Sequence, residues 1–167
     1  MEAVAEKGKT SVHEGKYLTF VSGKEEYGIE ILKVREIIGL LDITKVPQTP
    51  DYMKGVINLR GKVIPVIDLR LKFSMPEGEQ TQETCIIVVE VGAQSNTPQL
   101  IGIIVDSVSE VSDIGSGAIE ETPNLGQGIN TSFIMGLGKI KGKIVMLLDI
   151  EQVLSSEELE IAEQLVK

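Results

Sequence analysis

Short apolar runs separated by turn residues dominate the chain. Residues 16–22 and 26–31 alternate or run apolar around Ser22-Gly23-Lys24, and residues 84–91 and 100–106 repeat that arrangement around AQSNTP. Runs of this kind bounded by Gly, Ser, Asn and Pro predict two β-hairpins. Further short strands follow each hairpin, the last two joined at Arg60-Gly61 or at Lys141-Gly142, where glycine supplies the positive φ of a tight turn. Four or five strands per half predict an all-β chain of two small barrels. Pro65, inside VIPVI, has no N–H for a ladder, so its strand is expected at a docking-competent edge or at a bulge; Met146 holds the matching place. The polar stretch SMPEGEQTQE (74–83) reads as a linker. At the C-terminus, Ser155-Ser156-Glu157-Glu158 forms a capping box, and Leu159, Ala162 and Val166, widened by Ile161 and Leu165, recur at helical spacing. They predict an amphipathic helix over 155–167, packed on the chain's own barrels.

The halves are copies of one another. Residues 53–73 align without gaps to 134–154, an offset of 81, through Gly55/Gly136, Gly61/Gly142, Lys62/Lys143 and Asp68/Asp149, with apolar character kept between them. A second pair, 27–38 with 101–111, aligns at an offset of 74 through Gly28/Gly102, Ile29/Ile103, Val34/Val108 and Glu36/Glu110. The extra residues of the second copy therefore fall within the Gly/Ser/Asn-rich stretch 112–131. An internal duplication is the expected architecture.

Composition then removes whole classes of chemistry. The 167 residues suffice for one ordinary domain or two small barrels sharing a core. Sixteen Lys+Arg against 25 Asp+Glu give a formal net charge of −9, which on average repels nucleic-acid phosphates and anionic lipid. One His and one Cys leave no zinc cluster and no disulfide, and only His13 for an imidazole relay. No cofactor or metal is expected. Cys85, in the run Cys85-Ile86-Ile87-Val88-Val89, reads as a reduced, buried small hydrophobe. The N-terminus is acidic and lacks the apolar stretch of a secretory signal, so a cytoplasmic location is expected.

The remaining motifs have bland readings beside sharper ones. Gly55-x5-Gly61-Lys62 and Gly136-x5-Gly142-Lys143 lack Walker spacing and a following Ser/Thr, and read as hairpin turns. Asp68 and Asp149 each end an apolar strand before a helix-like stretch, the position of an N-cap; their use as an acid–base pair would need convergence on one cleft. Val34 and Ile37 are expected to face the core. Glu36 projects outward, and its counterpart Glu110 favours a shared structural role such as a backbone hydrogen bond. Arg60 is a planar fork at a hairpin tip, suited to a carboxylate or a carbonyl, or else a solvated turn residue.

Taken together, EEYGIEILKVREI, KGVINLRGKVIPVIDLRLKF, IGIIVDSVSEV and GLGKIKGKIVMLLDIEQVL resemble the CheW family of bacterial chemotaxis coupling proteins over roughly residues 15–160. The resemblance implies two intertwined five-stranded SH3-like barrels and a non-enzymatic adaptor, with no catalytic residues, that bridges the histidine kinase CheA to the cytoplasmic tips of methyl-accepting chemoreceptors. It also implies recruitment to membrane-associated receptor arrays. The expected organisation is a mobile tail (1–14), a CheW-like domain (15–154) and a C-terminal helix (155–167). The domain would divide into subdomains of about 15–83 and 84–154, with exchange of their terminal segments left open. The family's V-x-E-I and N-L-R-G motifs fall on Val34, Glu36, Ile37, Asn58 and Arg60 for receptor binding, with Ile31 a weaker addition and Gly55 shaping the hairpin. Kinase contacts are assigned only to the neighbourhood of Ile43, Val46, Tyr52 and Met53. A CheV-type adaptor or a kinase regulatory domain would carry further domains, for which the 13 residues after Leu154 leave no room. An RNA-binding small barrel would need a basic face with exposed aromatics.

Overall fold

The computed structural model describes residues 14–76, 78–92, 98–122, 131–154 and 156–165. His13, Ser155 and Val166 lie outside the described residues, with the rest of segment 1–13. The first half supplies β1 (Gly15–Ser22), β2 (Glu25–Glu30), β3 (Val34–Gly39), β4 (Met53–Leu59) and β5 (Lys62–Asp68), with a 3-10 turn, Ile31–Lys33, between β2 and β3. A one-turn helix, α1 (Leu69–Lys72), closes it. The second half supplies β6 (Cys85–Val91), β7 (Gln99–Val105), β8 (Ser107–Ile114), the two-residue β9 (Ile119–Glu120), β10 (Ile134–Ile140) and β11 (Lys143–Leu148). Helices α2 (Ile150–Val153) and α3 (Ser156–Leu165) follow.

These strands form two sheets, ordered β8-β1-β2-β11-β10-β9 and β3-β6-β7-β5-β4. Each sheet takes the first hairpin of one copy and the remaining strands of the other, so the two barrels are wound through each other. The joins between copies, β2 with β11 and β5 with β7, are parallel. The aligned glycines mark those joins: Gly28 pairs with Leu147 and Gly102 with Val66. Across the joins, a Cβ on Gly102 would come within 3.3 Å of Val66 Cγ2 and one on Gly28 within 3.1 Å of Leu147 Cδ2. The absence of a side chain there lets the two copies close on each other.

Burial follows the duplication. Ile57, Ile64, Val66, Ile86 and Val88 fill one barrel, and Tyr17, Ile114, Val145 and Leu147 fill the other. The largest cluster lies between the sheets and draws on both copies, including Leu18, Phe20, Ile29, Ile67, Ile87, Val89, Ile103 and Leu148. An aromatic ladder crosses it: Phe20, Tyr27, Phe73 and Phe133 meet in series with ring centroids 5.7, 5.7 and 5.0 Å apart, the outer two contacts stacked and the middle one tilted. Each such contact adds to the area term by about 1 kcal/mol. Because the core between the sheets is the main one, neither barrel buries its apolar surface without the other.

Three local expectations need correction. β5 is an interior strand, between β7 and β4, and not an edge. Its pairing with β7 begins only at Val66, so Pro65 lies ahead of that ladder, and its missing N–H breaks none of it. Ile37 is 44% exposed, not a core residue; β3 alternates without a break, so Val34 and Ile37, three residues apart, face opposite sides of the strand. Cys85 is half-buried and packs against the shared core, with burial pushing its thiol pKa up.

Both aspartates cap. Asp68 Oδ1 accepts from the Arg70 N–H (2.9 Å) and Asp149 Oδ1 from the Glu151 N–H (3.0 Å). In α3, Ala162 is fully buried in the shared core with Ile161 packed against it. The helix therefore docks on the body of the protein.

Candidate functional site

The β4–β5 connection is a two-residue turn in which Arg60 (φ 53°) and Gly61 (φ 86°) are both left-handed; Lys141 (φ 52°) and Gly142 (φ 78°) repeat it. Paired positive φ values are the signature of the turn that matches strand twist in a hairpin. The Gly61 N–H donates to Asn58 Oδ1 (2.8 Å), so that oxygen of Asn58 serves the turn itself. Arg60, held at the tip, forks onto Glu36: Nη1 donates to Oε2 at 3.2 Å, and Nη2 pairs with Oε1. The carboxyl of Glu36 is held below its ordinary range by this hydrogen bond, and the guanidinium of Arg60 is pushed up by the same contact.

β3 and β4 stand at opposite ends of their sheet, so the Glu36–Arg60 pair closes the barrel seam. Lys141 Nζ reaches Glu110 Oε2 at 3.3 Å at the matching place in the sister barrel. Glu36 thus has the shared role its counterpart implied, but through an ion pair with the hairpin tip instead of a backbone hydrogen bond. Two residues singled out separately in the sequence turn out to be one unit, with Arg60 still 70% exposed.

The turn that leads into β3 carries an apolar face. Leu32 in the 3-10 turn is 86% exposed, while Ile31 and Val34 are half-buried against the shared core. Tyr17, Glu30, Ile31 and Leu32 line a shallow groove that continues to Glu14 and Lys16. Leu32 went unnoticed in the sequence, although a signal was there: at the 74-residue offset its counterpart is Asp106, so an apolar residue stands where the other copy is charged. Of the other exposed large apolar residues among those described, four recur in register and Leu41 (41%) does not. Ile37 (44%) matches Val111 (52%) at the same offset, and Val63 (44%) matches Ile144 (52%) at the offset of 81.

The neighbourhood assigned to the kinase splits. Ile43 and Val46 are half-buried on the segment between β3 and β4, where Ile43 packs over its barrel's interior. Met53 is only 3% exposed and belongs to the shared core, so it presents no contact surface. The Tyr52 hydroxyl donates to Glu158 Oε2 (2.5 Å) in α3, and Lys72 Nζ binds both oxygens of Glu158 (2.8 and 2.7 Å) while lying 4.6 Å from the Tyr52 ring centre. The terminal helix covers this corner. Burial, then Glu158, pushes the Tyr52 pKa up. Gly55 and Gly136 sit in matching β-bulges, where the preceding segment crosses over the strand.

Sequence reasoning also missed two ion pairs that tie the copies together. Arg70 donates to Asp106 through Nε (3.0 Å) and Nη2 (2.6 Å), and Asp106 accepts the Gly23 N–H (3.0 Å). Lys33 Nζ donates to Glu151 Oε2 (2.9 Å), and Glu151 Oε1 accepts the Gly92 N–H (2.9 Å). Among the described residues no three His, Cys, Asp or Glu side chains gather as metal ligands, and no helix is long and apolar enough to cross a membrane.

This is an intertwined double-barrel β protein whose notable polar groups close seams, cap helices and clamp crossovers around an exposed apolar face. The chain belongs to the CheW-like domain family, whose model matches residues 16–158. It is 40% identical over 151 residues to a chemotaxis protein CheW of Klebsiella aerogenes, covering 90% of this chain and 88% of that one. It is 34% identical over 145 residues to a chemotaxis protein CheW of Rhizobium meliloti, covering 87% and 90%. The crystal structure of the scaffolding protein TtCheW from Thermoanaerobacter tengcongensis superposes with a TM-score of 0.76 at 35% identity, over 87% of this chain and 97% of that one.

Proposed function

We propose that this chain is a non-enzymatic chemotaxis adaptor that couples the regulatory domain of a CheA histidine kinase to the cytoplasmic tips of methyl-accepting chemoreceptors, working at receptor arrays in the cytoplasm. The observation that carries this reading is that β3, which bears Glu36 of the Glu36–Arg60 fork, is entered through a turn that exposes Leu32. A helical receptor tip offers apolar ridges flanked by polar side chains, and such a face accepts it in the helix-in-groove manner. A largely exposed guanidinium is the kind of group on which binding energy concentrates once a partner covers it.

A coupling protein needs at least two separate surfaces. The repeated exposed pairs, Ile37/Val63 on one barrel and Val111/Ile144 on the other, supply related apolar patches on opposite copies. Ile37 stays with the receptor face, the kinase's own CheW-like domain is assigned to the segment of Ile43 and Val46 on the first barrel, and the Val111/Ile144 patch to a related contact that closes rings. An RNA-binding reading finds no support: all six aromatic residues are described, and Tyr17, Phe20 and Tyr27 are buried while Tyr52, Phe73 and Phe133 are partly so. None stands exposed as a base-stacking platform.

Titration of the protein with a receptor-tip fragment and, separately, with the kinase regulatory domain tests the proposal. Arg60→Ala and Glu36→Ala are expected to weaken the receptor fragment by about tenfold and to leave kinase-domain binding and the melting profile intact. In Arg60→Ala the Glu36 carboxyl should also titrate back up in its ordinary range. A native protein that binds neither partner sinks the reading, and loss of fold in either variant assigns that residue to structure alone.

A further inference from the structure

We infer that Lys33 and Glu151 are a positioning pair: their clamp holds the Ile31–Lys33 turn, and the apolar docking face it carries, at a fixed attitude to the other copy. The inference rests on the receptor-docking reading above. Apart from the two strands that flank it and the Val34 N–H donated to the Ile31 carbonyl, little else holds the turn. None of its three residues is buried, Leu32 is 86% exposed, and Ile31 alone packs against the shared core. Lys33, by contrast, is tied. Its ammonium lies 2.9 Å from Glu151 Oε2, and the other oxygen of that carboxylate accepts the Gly92 N–H at 2.9 Å. One side chain on α2 thus joins the 3-10 turn to the end of the β6 strand. With Lys33 and Glu151 only 29% and 31% exposed, the pair is screened less than a surface contact.

The same molecule holds a second version of this device with its charges reversed. Arg70 stands 81 residues before Glu151, Gly23 stands 69 before Gly92, and Asp106, at the junction between β7 and β8, lies one position ahead of the residue that aligns with Lys33 at the junction between β2 and β3. There the junction carries the anion and the helix the cation, and the anion again accepts the glycine N–H. The fold therefore accepts either polarity at such a clamp. Only the Lys33–Glu151 version anchors a turn that presents an exposed leucine, because β7 passes to β8 through Asp106 without a 3-10 turn. Both clamps hold the copies together, and one of them also shapes the face.

The experiment uses the full chain as Lys33→Glu, Glu151→Lys, Glu151→Gln and the double reversal Lys33→Glu/Glu151→Lys. Glu151→Gln keeps an acceptor for Gly92 and removes only the charge. Each is titrated with a receptor-tip fragment and with the kinase regulatory domain, and amide exchange is followed over residues 28–36. The single variants are expected to bind the receptor fragment about three- to tenfold more weakly, with unchanged affinity for the kinase domain and faster exchange at Leu32 and Lys33. The double reversal should regain most of the lost affinity and protection, a rescue that a general loss of stability would not produce. Single variants that bind as the native protein does, or a double reversal that melts normally yet recovers nothing, overturn the inference. A native protein that fails to bind the receptor fragment removes the docking reading instead, and the positioning role falls with it.

Discussion

Gly55→Ala isolates the link between a backbone detail and a proposed contact surface. Gly55 has φ +141°, and a Cβ built on it would stand 2.1 Å from the carbonyl oxygen of Thr44 and 3.0 Å from Ile43 Cγ2. The nearest obstacle is backbone, not a side chain that can swing away. Thr44 and Val56 exchange two hydrogen bonds of 2.9 Å at this point, which pin the segment between β3 and β4 onto β4. To clear a methyl group, that segment has to retreat by about 1 Å, the difference from ordinary van der Waals contact. Losing both bonds costs roughly 1 kcal/mol each, and a side chain at positive φ costs about 1 kcal/mol more. The total of about 3 kcal/mol corresponds to a melting point lower by roughly 6–12 °C for a chain of this size. Gly61→Ala is the control: its φ is +86° but nothing lies within 4 Å, so only the strain of about 1 kcal/mol applies. Thermal melts with both variants measure the difference, and titration with the kinase regulatory domain reads its functional side. Ile43 belongs to the displaced segment, so kinase binding should weaken before receptor binding does. If Gly55→Ala melts no lower than Gly61→Ala, the close approach at Thr44 is wrong and the argument fails.

Two further outcomes are expected. Asp106→Asn keeps the shape of the second clamp but removes the charge that holds Arg70 through two contacts; at 30% and 23% exposure the loss is about 1–2 kcal/mol, read as a melting point lower by roughly 2–8 °C. Tyr52→Phe removes the hydroxyl that donates to Glu158, and amides of α3 should exchange faster with a loss of about 1 kcal/mol. Because burial and Glu158 raise the pKa of Tyr52, the neutral hydroxyl is the stabilised form: its contribution is intact below the ordinary tyrosine range and fades as pH rises above it. The native protein should therefore lose more stability than Tyr52→Phe between pH 9 and 11, about one unit either side of that range; parallel slopes would refute the assignment.

Much of the candidate site could be read before any coordinates, and particular residues show why. Gly61 and Gly142, each between apolar runs and each matched to the other, announced the turns because a left-handed position leaves few residues to choose from. Asp68 and Asp149 announced the caps for the same local reason. Glu36 and Arg60 could each be singled out, yet their union could not, because it joins opposite ends of a sheet across 24 residues. The burial of Met53 and the covering of Tyr52 by α3 were illegible for a like reason, since both depend on what a distant segment lays over them. The edge expected from Pro65 failed where a strand of the other copy paired alongside only from the next residue onward.

What the chain determined by itself is whatever acts within a few residues or repeats at a fixed interval. That covers the strand pattern, the turns, the caps, the duplication and the resemblance built on its motifs. Tertiary structure alone decided which segments the intertwined copies exchange, a hairpin from each to the other's sheet, and that the main core lies between the sheets. It also decided that the two crossover clamps carry opposite polarity. The physical reason is that backbone preference and periodic burial are local properties, whereas the partner of a charge or of an apolar face is whichever segment the fold brings near. In a duplicated chain either copy offers a plausible neighbour, and only packing selects between them.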